Sequence, residues 1–231
     1  MKSKSWLALF IIDAILDLLF VFFKKDELRY FTKPLLIILL FAYCIAAIKK
    51  KDKLFFLLLT ALFFSFLGDI FLMFEKQASY WFMVGLIGFL LAHIFYIILF
   101  LQIKKQNQPK KKLNFLIALL TIAYTTFLFL LLKPSLGSLE IPVLVYAIVL
   151  SCMFLASFHA FDFSGQQFGR LCIIGALLFV ASDSLLAINK FYQSFAGSGI
   201  LVMLTYALAQ LLIVLSITKY INLKSENFNF T

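Results

Sequence analysis

Apolar residues in this sequence come in long unbroken runs, without the period-two alternation of a half-wet strand or the one-sided 3.6-residue stripe of a surface helix. Eight runs stand out, at about 6–23, 34–48, 54–74, 80–102, 113–132, 141–160, 170–188 and 198–220. A helix needs about 20 apolar residues to cross a bilayer. The pattern therefore predicts an all-α, polytopic membrane bundle of about eight transmembrane helices. Strands of a membrane barrel alternate over roughly ten residues, and these runs do not alternate. The second run is short, so its ends are poorly defined by hydropathy. Lysine clusters (Lys24–Lys25, Lys49–Lys51, Lys104–Lys105, Lys110–Lys112) and Pro34, Pro134 and Pro142 mark the breaks. Lys33-Pro34 reads as the opening of the second helix, where a proline is tolerated.

Composition sharpens this picture. Of 231 residues, 64% are hydrophobic and 14% charged, whereas soluble domains are about 45–50% apolar. The whole of 1–231 reads as one integral membrane domain with no soluble module. The net charge of +10 does not point to nucleic acid, because the 21 basic residues lie almost entirely between the apolar runs. There they set orientation: the side holding both termini carries 14 and the other side 7. The positive-inside rule then places both termini in the cytoplasm, the setting being a bacterial inner (cell) membrane. The first run imitates a signal peptide but carries two aspartates and lacks a small-residue cleavage site, so it reads as an uncleaved helix. Cys44, Cys152 and Cys172 fall in apolar runs without a CxxC spacing and read as small core residues.

Candidate chemistry lies where polar residues are expensive. Asp13, Asp17, Asp69 and Asp183 fall inside apolar runs, and a charge near the bilayer centre costs about 2.5–3.5 kcal/mol on insertion scales. Asp13 and Asp17, spaced i, i+4, share a face and read as an inward polar stripe. Asp69 and Asp183 follow the small residues Gly68 and Ser182. At 1.5 Å per residue they lie roughly 22 and 18 Å into their spans, both in the outer half. The stretches LFFSFLGDIFLMF and ALLFVASDSLLAI resemble each other, as do Leu91-Ala92-His93 and Leu208-Ala209-Gln210. This faint repeat fits two parallel four-helix halves, 1–105 and 110–222, with the two aspartates facing each other. His93 has Tyr96 on its own face, and His159 stands near Asp162. Two histidines cannot build a three-histidine zinc site. No GxSxG elbow or GxxxxGK loop is present. Gly85 and Gly88 read as close-packing positions. Tyr206 and Gln210 are spaced i, i+4 toward the interior of Asp183.

Five stretches in order resemble the YhhN-like family of multi-span membrane lysoplasmalogenases: Lys33-Pro34-Leu35, FLGDIFLM at 66–73, GLIGFLLAHIFY at 85–96, GALLFVASDSLLA at 175–187 and TYALAQLLIV at 205–214. Asp13 and Asp17 belong to no motif of the family. The resemblance implies hydrolysis of the vinyl ether bond of lysoplasmalogens to a fatty aldehyde and a glycerophospho-ethanolamine or -choline. It implies a lysophospholipid substrate within membrane lipid, and no metal or other cofactor.

Vinyl ether hydrolysis needs an acid to protonate carbon and an anion near the oxocarbenium ion. Buried neighbouring carboxylates tend to share one proton, so Asp69 and Asp183 are candidates for the acid/base pair. Lys33 is a candidate partner for a lipid phosphate. His93, Tyr96, Tyr206 and Gln210 are candidates to orient water or the carboxylates. The alternative is a proton- or cation-coupled transporter, or a lipid-handling protein, using the same acids. For the orientation, a reporter fused after Thr231 should read cytoplasmic; a signal from the far side would reverse every side assignment.

Overall fold

The computed structural model describes residues 2–107, 114–161 and 167–227. Lys110–Lys112 and Asp162, singled out above, lie outside the described residues. The chain forms α1 (Ser3–Phe22), α2 (Asp26–Ala47), α3 (Lys53–Met73), α4 (Tyr80–Asn107), α5 (Phe115–Leu132), α6 (Glu140–Ala160), α7 (Gln167–Ala187) and α8 (Ser198–Asn227). Two 3-10 turns, Lys133–Ser135 and Gly137–Leu139, lead into α6, and a π turn, Ile188–Tyr192, extends α7. The described residues contain eight helices long and apolar enough to cross a membrane and no strand. The protein is a multi-pass integral membrane protein. Helices suit this solvent because each satisfies its backbone N–H and C=O groups internally.

The second helix corrects the sequence reading. It begins eight residues before the expected start, and Pro34 lies inside it. Hydropathy missed this first part because it is polar, DELRYFTK. Asp26 and Glu27 in the first turn favour helix initiation there by meeting the positive end of the helix dipole. Pro34 removes only the bond to the Tyr30 carbonyl, close to the helix start. The early start turns Arg29, Thr32 and Lys33 from a loop into rungs of a helix.

Helices α3 with α4, and α7 with α8, make the most extensive pairings, and α4 also packs on α6. α1 and α5 are peripheral: half of the α8 span is buried against 17% for α1 and 11% for α5. Phe31, Phe115, Phe127 and Ile141 point outward and are strongly exposed, as a lipid-facing surface requires.

Lipid is as apolar as leucine, so helix pairing in a membrane depends on close packing rather than on hydrophobic burial. Glycine provides it here. A Cβ on Gly88 would stand 2.8 Å from the Gly68 nitrogen and 2.9 Å from its Cα, so α3 and α4 cross backbone to backbone. A Cβ on Gly68 would stand 2.6 Å from the Phe89 ring. That ring therefore packs directly on the residue preceding Asp69. On the other pair, a Cβ on Gly175 would stand 3.0 Å from the Ala209 carbonyl oxygen.

Gly88→Ala should destabilise the bundle by about 1–3 kcal/mol, because its new methyl meets backbone that cannot move aside. Gly199→Ala meets only a Val21 methyl at 3.1 Å and should be nearly silent. Thermal unfolding in detergent measures both.

Candidate active site

Asp69 is buried on α3, four residues before the helix ends. Tyr206 of α8 donates to its Oδ2 at 2.5 Å, and Lys33 Nζ of α2 stands 3.3 Å from its Oδ1. Gln210, one turn beyond Tyr206, extends the network. Its Nε2 donates to Ser65 Oγ at 3.0 Å and lies 3.4 Å from the Tyr206 hydroxyl. Its Oε1 accepts from Tyr96 at 2.7 Å. Four helices thus converge on one buried polar chain, Lys33–Asp69–Tyr206–Gln210–Tyr96. Lys33 is thus engaged with Asp69 inside the bundle.

Asp183 occupies the corresponding place on α7, four residues before the α-helical part ends. Tyr146 of α6 donates to its Oδ2 at 2.5 Å, and His93 Nε2 of α4 stands 3.1 Å from the same oxygen. His93 Nε2 is also 3.0 Å from the Tyr146 hydroxyl. The Tyr146 proton is committed to the carboxylate, so the Nε2–H tautomer of His93 is the one that satisfies both oxygens. His93 Nδ1 is buried with no hydrogen-bond partner. Sequence reasoning missed Tyr146. The available signal was its depth: a tyrosine away from the membrane interfaces needs a partner for its hydroxyl.

The two carboxylates have separate partners, and among the described residues none bonds to both. Phe179 joins the two clusters, edge-on to His93 at 4.7 Å between centroids and to Tyr206 at 5.6 Å. Phe89 stands edge-on to Tyr206 at 5.8 Å. The carboxylates also differ in access. The Asp183 side chain is 12% exposed and that of Asp69 only 1%. Asp183 and Tyr146 form the polar part of a pocket otherwise lined by apolar and aromatic residues, among them Leu72, Phe82, Phe89, Leu186 and Phe191. Its space is about 460 Å³, the open mouth included. The lining residues sit at the ends of α3 and α7 and the starts of α4 and α6, so the pocket lies toward the side away from the termini.

The chain as a whole matches a known family. The sequence profile of the YhhN family matches residues 28–217. The chain belongs to the YhhN family. Lysoplasmalogenase TMEM86B of Rattus norvegicus is 30% identical over 97% of this chain and 89% of its own length. Lysoplasmalogenase TMEM86A of Homo sapiens is 32% identical over 67% of this chain and 62% of its own. A lysoplasmalogenase of Mycobacterium bovis is 31% identical over 57% of this chain and 49% of its own. No solved structure matches the chain.

Outside these clusters, Asp13 and Asp17 are buried on α1. Thr32 donates to Asp17 Oδ1 at 2.6 Å, and Arg29 Nε lies 3.5 Å from that oxygen. The inward polar stripe is therefore anchored on the unforeseen first turns of α2. His159 accepts from the Asn114 backbone N–H through Nε2 at 3.0 Å, and its Nδ1 lies 2.7 Å from the Leu155 carbonyl; it ties α6 to the start of α5. Among the described residues no group of three or more His, Cys, Asp or Glu side chains is placed to hold a metal ion. Cys44 and Cys172 are buried, as core positions are, whereas Cys152 is exposed on the outer surface of the bundle.

Lys33→Met should destabilise the protein by about 3 kcal/mol, because it leaves the buried Asp69 charge unpaired. Adding Asp69→Asn should recover much of that loss. A double-mutant cycle on thermal midpoints in detergent tests this; additive losses would mean the two side chains do not interact.

Proposed function

We propose that the protein is a lysoplasmalogenase, hydrolysing the vinyl ether bond of a lysoplasmalogen with Asp183 as the acid. The observation that carries this reading is the pocket. It offers an apolar wall for an alkenyl chain, and its polar part is the Asp183 carboxyl group, held by Tyr146 of the same lining and by buried His93. The relatives' names support the same chemistry.

Protonated Asp183 gives its proton to the alkenyl carbon one bond removed from the C–O carbon. The double bond becomes an oxocarbenium ion, and Asp183 becomes a carboxylate beside it. Tyr146 and His93 each direct a hydrogen toward Asp183 Oδ2, so they stabilise the carboxylate as it forms. Water adds to the oxocarbenium carbon and gives its proton back to Asp183. The hemiacetal then collapses to a fatty aldehyde and the free glycerol hydroxyl. Neither metal nor redox partner enters the balance.

Asp69 takes a different part. It has Lys33 on one oxygen and Tyr206 on the other, and it does not line the pocket. We read it as a positioning residue. It fixes Tyr206, which sets Phe179, the ring against which His93 packs. In this reading Asp183 is the one acid at the pocket and Asp69 the buried anchor behind it.

Purified protein in detergent should release aldehyde from a lysoplasmalogen. Asp183→Asn should lower turnover by at least about 100-fold, and Tyr146→Phe by about tenfold or more. Asp69→Asn should lower turnover and thermal stability together. Full activity in Asp183→Asn would remove it as the acid. Detergent abolishes any gradient, so product formation there also separates hydrolysis from coupled transport.

A further inference from the structure

Against the wall of the Asp183 pocket stands a charge pair with no part in the chemistry above. Lys190, in the π turn after α7, places Nζ 3.0 Å from Glu75 Oε2 in the α3–α4 connection. The same ammonium stands 4.9 Å from the centroid of the Phe82 ring. Phe82 is a wall of the pocket, as is Phe191, the residue next to Lys190. These two rings meet edge-on at 5.7 Å. The pair and the pocket wall are therefore one assembly. π turns of this kind recur at functional sites.

We propose that Lys190 and Glu75 bind the head group of the lipid, Lys190 taking the phosphodiester and Glu75 the primary ammonium of an ethanolamine. The fit has three parts. Charge comes first: a zwitterion offers an anion and a cation a few atoms apart, and the pair offers their complements side by side. Access comes second. The Lys190 and Glu75 side chains are 37% and 30% exposed, and such an exposed pair is worth only about 0–1 kcal/mol, so a ligand carrying both charges can insert between them. Reach comes third. Lys190 lies seven residues beyond Asp183, roughly 10 Å along the helix. Five bonds separate the vinyl ether oxygen from phosphorus, roughly 6 Å at ordinary bond lengths, and the lysine side chain spans the remainder. Glu75 further favours ethanolamine over choline, because a trimethylammonium group has no N–H to donate to a carboxylate.

This inference rests on the lysoplasmalogenase reading for the placement of the chain, but its test needs no turnover. The probe is a saturated 1-alkyl lysophosphoethanolamine, which has no vinyl ether to cleave. Its binding to the detergent-solubilised full chain is measured by calorimetry, beside the choline analogue, 1-alkylglycerol and free glycerophosphoethanolamine. Wild type should bind the ethanolamine lipid about tenfold more tightly than alkylglycerol. Lys190→Gln should remove that preference without changing alkylglycerol binding, and Lys190→Arg should restore it. Glu75→Gln should remove the preference for ethanolamine over choline. Equal binding of all three lipids by wild type, or an intact preference in Lys190→Gln, would overturn the proposal. Free glycerophosphoethanolamine binding as tightly as the lipid would overturn the lipid as its ligand. Absence of aldehyde release with these binding results intact would count against the hydrolytic reading alone.

Discussion

A carboxylate cannot stand alone among apolar helices; it must be met by donors, and in a membrane those donors come from other helices. Asp69 and Asp183 impose this on the bundle. Asp69 draws on Lys33 from α2 and Tyr206 from α8. Asp183 draws on Tyr146 from α6 and His93 from α4. Between them the two acids tie six of the eight helices into one interior. α1 and α5 stay at the periphery, where one carries the Asp13/Asp17 stripe and the other is the least buried span.

The same demand separates two tasks. A carboxylate paired with a lysine and sealed from solvent suits an anchor. A carboxylate held on one oxygen, with its other side toward a pocket, suits a proton donor. Glycine sets the difference at close range. The Gly68–Gly88 crossing brings α3 and α4 together and lets Phe89 lie over Gly68. Phe89 and Phe179 then fill the space between the Asp69 network and the Asp183 pocket. Two equivalent acids in sequence thereby become unequal in their surroundings.

Much of this was legible beforehand, and for identifiable reasons. The helices were visible because hydropathy is a property of consecutive residues. The failures were equally physical. The start of α2 was lost because a polar first turn is invisible to a hydropathy window, and with it went Arg29 and Thr32. Tyr146 was overlooked because the apolar run of α6 gives no local cue that its hydroxyl faces an acid on α7. Lys33 stood out as a cation beside a proline, but its contact with Asp69 depends on the packing of α2 against α3, which no local pattern records.

The sequence by itself determined that the chain crosses a membrane as helices, and that four aspartates stand where only buried partners can tolerate them, because both follow from transfer free energies counted residue by residue. It also determined the family, through motifs that keep their order. Only the tertiary structure decided which donor meets which acid, that Asp69 is sealed while Asp183 reaches a pocket, and that Lys190 and Glu75 pair beside the Phe82 wall of that pocket. Those outcomes depend on contacts between helices far apart in the chain, and the rotation of one apolar helix against another leaves no periodic trace in a sequence that is apolar on every face.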